Sequence, residues 1–194
     1  IFEPSDQQEA YDMVSKAFEL SENLKLPVVF RMVTRLAHSR AAVKVKDTAR
    51  ETNKFEPDSG KHWVLLPAIA RKQYLVLLGK QEAIEQASAK SEYNTLTEIS
   101  GKGIGVIACG IARNYVKEAN PKDISYILKI SQYPLPVELI KEIASKSDGI
   151  LVVEDGQPFV EEQIHAILGA EYPVFGRLTG RLPRTGELNT DNVA

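Results

Sequence analysis

The sequence predicts an α/β protein whose sheet is mostly parallel and is covered by helices on both faces. Three observations point there. From Gly101 onward, short apolar runs alternate with helical segments of about ten residues, the pattern of βαβ crossovers. An earlier run, Val28-Val29-Phe30-Arg31-Met32-Val33, is apolar at nearly every position, as in a strand buried on both sides. The composition, 43% hydrophobic and 26% charged over 194 residues, is that of a globular chain with room for one α/β domain and about a quarter of another.

Taken in order, Pro4-Ser5-Asp6-Gln7-Gln8 is a helix start, with Ser5 as cap and Gln8 completing a capping box. Ala10, Met13, Val14, Ala17, Phe18 and Leu24 then recur at helical spacing, predicting a helix over 6–24. Pro27 opens the strand 28–33. This helix–strand pair has no companion strands before it, so residues 1–40 read as the last αβ unit of a preceding domain. Residues 41–66 are charged and turn-prone, with Pro57-Asp58-Ser59-Gly60 as a turn, and read as a linker. A long helix is predicted from Pro67 to about Asn94, crossing a domain surface with Ile69, Tyr74, Leu75, Leu78, Ile84 and Ala87. Strands follow at 104–108, 124–130, 149–153 and 173–175, and helices at 111–119, 136–146 and 158–168. Residues 67–194 thus form the main α/β domain, closed by an extended tail.

Composition excludes several functions. With 24 basic and 26 acidic residues there is no basic excess for a nucleic acid. No apolar run approaches the roughly 20 residues that span a bilayer, so no membrane segment is expected. The single cysteine, Cys109, excludes an internal disulfide framework and an iron–sulfur cluster held by this chain alone. It fits a reducing cytoplasm. The opening at Ile1, directly before a helix signal, and the end without a closing element lead us to expect an excised segment.

Gly101-Lys102-Gly103-Ile104-Gly105 has the glycines of a nucleotide loop, but they precede a strand instead of following one, against a dinucleotide fingerprint. The turn Ala108-Cys109-Gly110-Ile111 opens a helix whose free N–H groups could hold an anion, but it reads first as a small-residue packing turn, with Cys109 as a buried apolar residue. Glu154-Asp155-Gly156 places two carboxylates at a strand end. The Gly-Asp-Gly triplet that holds Mg²⁺–diphosphate in thiamine enzymes is altered at its first position, and the next asparagine, Asn189, is too distant. Glu154 reads instead as a hydrogen-bonding group at a domain or subunit contact. His38, between Arg35 and Arg40, has two readings: it orients an anionic oxoacid or diphosphate, or it ties the strand to the linker. His62 and His165 lack acidic or thiol partners at ligand spacing. Arg177, Arg181 and Arg184 form a basic string that reads first as an interface with the rest of the molecule and second as an anion-binding group.

Several segments together resemble the large (alpha) subunit of indolepyruvate ferredoxin oxidoreductase, within the thiamine-dependent 2-oxoacid:ferredoxin oxidoreductase family. They are Glu3-Pro4-Ser5-Asp6-Gln7-Gln8-Glu9-Ala10, Ala17-Phe18-Glu19-Leu20-Ser21, Leu26-Pro27-Val28-Val29-Phe30-Arg31 and Thr34-Arg35-Leu36-Ala37-His38-Ser39-Arg40. To these are added Val152-Val153-Glu154, Pro158-Phe159-Val160-Glu161-Glu162-Gln163 and Thr179-Gly180-Arg181-Leu182-Pro183-Arg184-Thr185-Gly186-Glu187-Leu188. The resemblance implies a three-layer α/β/α domain of the transketolase C-terminal-like kind at 67–194, and a thiamine pyrimidine-binding domain ending at 1–40. It implies a parent that decarboxylates arylpyruvates oxidatively to aryl-acetyl-CoA and passes the electrons to ferredoxin. The implied parent cofactors are thiamine diphosphate, Mg²⁺ and 4Fe-4S clusters, none bound by this chain. The implied partners are the remaining domains of the alpha subunit and a smaller beta subunit, with ferredoxin and coenzyme A. By the same resemblance Arg35, His38 and Arg40 lie nearest the active site, and Glu154, Arg181 and Arg184 lie at contacts. The chain departs from the parent in lacking the pyrimidine-site glutamate, the Gly-Asp-Gly…Asn motif and the cluster cysteines, so by itself it is expected to be inactive. The equivalent domain of a pyruvate or 2-oxoglutarate oxidoreductase, and a free-standing flavodoxin-like binding module, are the alternatives.

Overall fold

The structure is a computed structural model that describes residues 1–47 and 60–194. Helix α1 (Gln7–Leu24) is capped by Asp6, whose carboxylate accepts the Glu9 amide at 2.8 Å. Glu9 reaches back to the Ser5 amide and hydroxyl, both at 2.6 Å. The capping box is therefore one residue later than the sequence suggests, because Glu9 and not Gln8 faces the chain end. Met13 and Ala17 of α1 pack with Phe2, while Val14 and Phe18 remain exposed.

The run at 28–33 does not form the predicted strand. Only Phe30 pairs, through a single parallel bridge to Phe2, and Val29 and Met32 are exposed. A ladder needs a neighbour several residues long, and the segment before α1 offers one residue before it turns. Thr34–His38 is a short helix, α2, anchored by buried Leu36. A 3₁₀ turn (Lys61–Trp63) follows. The turn expected at 57–60 falls, except for Gly60, outside the described residues, as does the middle of the expected linker. The long helix divides at Gly79-Lys80 into α3 (Pro67–Leu78) and α4 (Gln81–Ala89).

The core is a five-stranded sheet of β1 (Thr95–Glu98), β2 (Ile104–Cys109), β3 (Ile124–Ile130), β4 (Ile150–Val153) and β5 (Val174–Phe175), in the order β1-β3-β2-β4-β5. β1, which the sequence reading missed, runs antiparallel to β3; the other pairs are parallel. The connecting helices are α5 (Ala112–Ala119), α6 (Val137–Ser145) and α7 (Phe159–Leu168). The chain leaves β2 for β3 on one side and then crosses to β4 on the other. Right-handed crossovers therefore put α5 on one face and α6 and α7 on the opposite face.

Strand side chains alternate between two cores. Val106, Ala108 and Val153 pack under Ala112, Tyr115 and Val116 of α5, joined by Leu182, Leu188 and Val193 of the tail. Ile107, Cys109, Ile150 and Val152 pack under Ile140 and Ile143 of α6 and Val160 and Ile164 of α7. The result is the three-layer arrangement, but one outer layer is α5 completed by Leu36 of the short α2 and by an irregular tail.

The glycines around the start of β2 serve packing. Gly103 has φ +99°, and a Cβ there would stand 2.0 Å from the Asp123 carbonyl oxygen. A Cβ on Gly105 would meet Ser147 Oγ at 2.7 Å and Ile143 Cγ1 at 2.9 Å. Gly103→Ala is expected to destabilise the fold by about 2 kcal/mol, combining left-handed strain with a backbone clash. An unchanged urea midpoint would show that the entry to β2 has room to shift.

Candidate functional site

In an open α/β sheet, ligands bind beyond the carboxyl ends of the strands where the chain switches direction, here beyond β2 and β4. That crevice is filled by the protein's own amino-terminal segment. The Glu3 amide donates to the Ser131 carbonyl at 2.8 Å, and the Glu3 side chain is 2% exposed. Its carboxylate accepts the Tyr133 hydroxyl at 2.6 Å and pairs with Arg31 Nη1. Arg31 Nη2 in turn donates to the Asp155 carbonyl at 2.6 Å, at the end of β4.

Gly110, at φ +49°, makes the seat: a Cβ there would lie 2.5 Å from Glu3 Cγ. Burial raises the Glu3 carboxyl above its ordinary value, opposed by Arg31 and by the Tyr133 hydrogen bond. Burial also pushes up the Tyr133 phenol and the Cys109 thiol beside it. Cys109 is thus a neutral packing residue at physiological pH.

A second set of contacts clamps the same segment. Glu9 pairs with Lys129 of β3 and accepts the Ser131 hydroxyl at 3.4 Å. Asn114 of α5 donates to the Ser5 carbonyl at 2.7 Å. Buried Asn94 holds the end of β3, accepting the Ser131 and Gln132 amides at 2.9 and 3.0 Å.

What remains open is a cleft of about 300 Å³ whose walls include Arg31, Thr34, Arg35, Tyr115, Gly156 and Glu187. Arg35 donates to the Tyr115 hydroxyl at 3.1 Å, stands 5.3 Å from the Tyr115 ring centroid, and pairs with Glu187 at 3.3 Å. His38 and Arg40 lie farther along the surface, exposed, with no side-chain hydrogen bond or ion pair among the described residues. Of the three residues expected near an active site, the structure puts only Arg35 on the cleft wall.

The carboxylates after β4 are engaged inside the molecule. Glu154 is 3% exposed and accepts the Val160 and Glu161 amides, each at 2.9 Å, so it closes the amino end of α7. Burial pushes its carboxyl up to about 7, against the pull of those two hydrogen bonds. Asp155 Oδ1 accepts the Leu188 amide at 2.9 Å and lies 3.6 Å from Arg177 Nη2. These oxygens face backbone N–H donors and a guanidinium, so this donor set does not fit Mg²⁺–diphosphate.

Arg177, read in the sequence as one of an interfacial string, is instead 2% exposed. Its Nε donates to the Glu154 carbonyl at 3.0 Å, Nη1 to Pro183 at 2.7 Å and Nη2 to Gly186 at 3.1 Å. It gathers the tail against the sheet. The sequence signals the need and not the residue: a Gly- and Pro-rich tail has carbonyls without ladder partners, and they need donors when buried. Arg181 and Arg184 do lie on the surface. Arg181 stands 5.5 Å from the Phe175 ring centroid, and Arg184 donates to Gln157 at 3.2 Å. Glu161, missed in the sequence, is 1% exposed, accepts the Leu178 amide at 2.9 Å and occupies the space left by Gly176.

No family model matches the chain. Over its whole length, however, it is 38% identical to the indolepyruvate oxidoreductase subunit IorA of Archaeoglobus fulgidus, covering 31% of that protein. It is 34% identical to the same subunit of Methanothermobacter thermautotrophicus, with 98% of this chain and 32% of that protein covered. With the Thermococcus kodakarensis subunit it shares 31% identity over 98% of its length and 31% of that protein. The chain belongs to the IorA family. It spans about a third of the length of the curated IorA relatives it matches.

Among solved structures, a 2-oxoglutarate:ferredoxin oxidoreductase from Magnetococcus marinus aligns with 58% of this chain and 21% of its own, at 15% identity and a TM-score of 0.43. The two segments that most distinctly resembled the IorA family, Thr34–Arg40 and Thr179–Leu188, meet across the cleft through the Arg35–Glu187 pair. Among the described residues, no helix is long and apolar enough to cross a membrane.

Proposed function

We propose that the chain is a scaffolding part of the large subunit of an indolepyruvate (arylpyruvate):ferredoxin oxidoreductase. One observation carries this reading: the crevice where such a sheet ordinarily takes a ligand grips the segment ending at α2 instead. In this reading residues 1–40 close a preceding thiamine-binding domain, 41–66 link, and 67–194 are the transketolase C-terminal-like domain that holds that domain in place. Arg35, with His38 and Arg40 beyond it, lies on the side toward the active site. Arg181 and Arg184 meet other domains or the smaller beta subunit.

Thiamine diphosphate, Mg²⁺ and the 4Fe-4S clusters belong to other parts of the cytoplasmic enzyme, which converts arylpyruvates to aryl-acetyl-CoA with coenzyme A and ferredoxin. The contribution of this chain is positional: Glu3, Arg31 and Arg35 fix where the end of the preceding domain lies. Isothermal titration of the isolated chain with thiamine diphosphate and Mg²⁺ is expected to give no binding, and the chain alone no turnover of indolepyruvate. In the complete enzyme, Arg35→Ala is expected to lower kcat/KM on the order of tenfold through misplacement. Micromolar cofactor binding, or oxoacid turnover by the isolated chain, would overturn the assignment.

A further inference from the structure

Helix α3 breaks the rule that the other helices obey. None of its residues is buried, yet Tyr74-Leu75-Val76-Leu77-Leu78 is apolar around the full circumference of the helix. Leu65, just before it, is 89% exposed, Leu75 68% and Leu78 47%. A helical turn that is apolar on all sides is ordinarily covered, and exposed apolar side chains grouped in this way mark an interaction site. One flank of the helix opens on a groove of about 780 Å³ against Leu26 and Pro27, with Leu65, Tyr74 and Leu77 on the other wall. Leu75 and Leu78 lie outside the groove, farther round the helix. Its first half carries exposed Arg71 and Lys72.

Roughly two thirds of each curated relative's length lies outside the part this chain matches. We infer that Leu65, Leu66 and the 74–78 face of α3 are the seat of that remaining part of the same large subunit, an inference that rests on the scaffold reading above. The occupant is an apolar face with an acidic margin toward Arg71 and Lys72, since an apolar centre with complementary charge at the rim is how such contacts are specified. The groove between Leu26 and Tyr74 takes its projecting side chains.

Amide hydrogen exchange over 64–78 tests this, comparing the 194-residue chain with the full-length large subunit that carries the segment. In the full-length subunit these amides are expected to exchange about a hundredfold more slowly. Leu75→Glu with Leu78→Glu is expected to abolish the slowing, and the milder Leu75→Ala to reduce it, while neither changes the melting temperature of the isolated chain by more than a degree or two.

Equal exchange in both proteins would overturn the inference. So would slow exchange in the isolated chain accompanied by dimers in sedimentation, or by flotation with phosphatidylglycerol vesicles; those results would assign the face to a second copy or a lipid surface. Turnover of indolepyruvate, measured on the same full-length preparations with the small subunit, separates the two readings. Fast exchange with intact turnover removes the docking face alone; protected α3 without turnover keeps the docking face and removes the enzymatic reading.

Discussion

Arg177→Ala is expected to destabilise the protein by about 4 kcal/mol, an effect set by what the guanidinium leaves behind. Arg177 is the largest fully buried side chain, and its three nitrogens reach the carbonyls of Glu154, Pro183 and Gly186. Alanine would strand the buried Glu154 carbonyl, take the donors from the part-buried Pro183 and Gly186 carbonyls, leave the Asp155 carboxylate without its cation and open a cavity beneath the tail. Arg177→Lys is expected to recover little, because an ammonium cannot reproduce three diverging donors from one planar group. Arg184→Ala, which loses one exposed bond to Gln157, should cost less than about 1 kcal/mol and is the control. Chemical denaturation of the three variants checks this. Equal losses for Arg177→Ala and Arg184→Ala would mean that the tail is held by its leucines alone.

Glu154 is expected to make stability fall as pH rises from about 4.5 to about 7. Its carboxyl has an ordinary value of 4.5 when exposed in the unfolded chain and about 7 when buried at the start of α7. Between those values the folded protein holds a proton that the unfolded chain has released. The folded state binds more protons, and the stability that this confers is complete below pH 4.5 and lost as pH passes through 7. The full difference is about 3 kcal/mol. Glu154→Gln, which does not titrate, should show a flatter dependence. Its amide fits one of the two helix amides poorly, so its stability is offset at every pH, and the slope between pH 4.5 and 7 is the quantity to compare. Glu3, raised in the same direction, is present in both proteins and drops out of the comparison. Parallel slopes would show that Glu154 stays ionised in the fold.

The alternating half of the molecule was legible because its pattern is local and redundant. Residues 124–130 form the strand their apolar run predicts, and the prolines at 136 and 158 stand directly before α6 and α7. β1 was not legible. Of Thr95-Leu96-Thr97-Glu98 only Leu96 is even half-buried, so four residues at the sheet edge carry no apolar signal, and their conformation is set by the β3 ladder. The run at 28–33 fails for the converse reason. It has the composition of an inner strand, but pairing requires a partner, and the chain before α1 supplies Phe2 alone.

At the site, the sequence marked the right segments without their division of labour. The segment 34–40 and the tail meet as their unusual composition suggested, yet burial chose among three similar arginines, taking Arg177 inside and leaving Arg181 and Arg184 outside. That choice depends on which carbonyls lack donors after folding, which no spacing rule encodes. The role of Glu3 was hidden likewise, because its partners Arg31 and Tyr133 come from distant parts of the chain.

The irregular cover over the α5 face has a kinetic meaning. Leu182, Leu188 and Val193 plug one core from a stretch that has no ladder of its own, pinned chiefly by one arginine and one aspartate. Such a stretch can peel away as a cooperative unit while the sheet, α6 and α7 stay assembled. The carboxyl-terminal strap therefore opens as a unit of its own, and its opening wets the α5 side of the interior while the α6–α7 side stays dry.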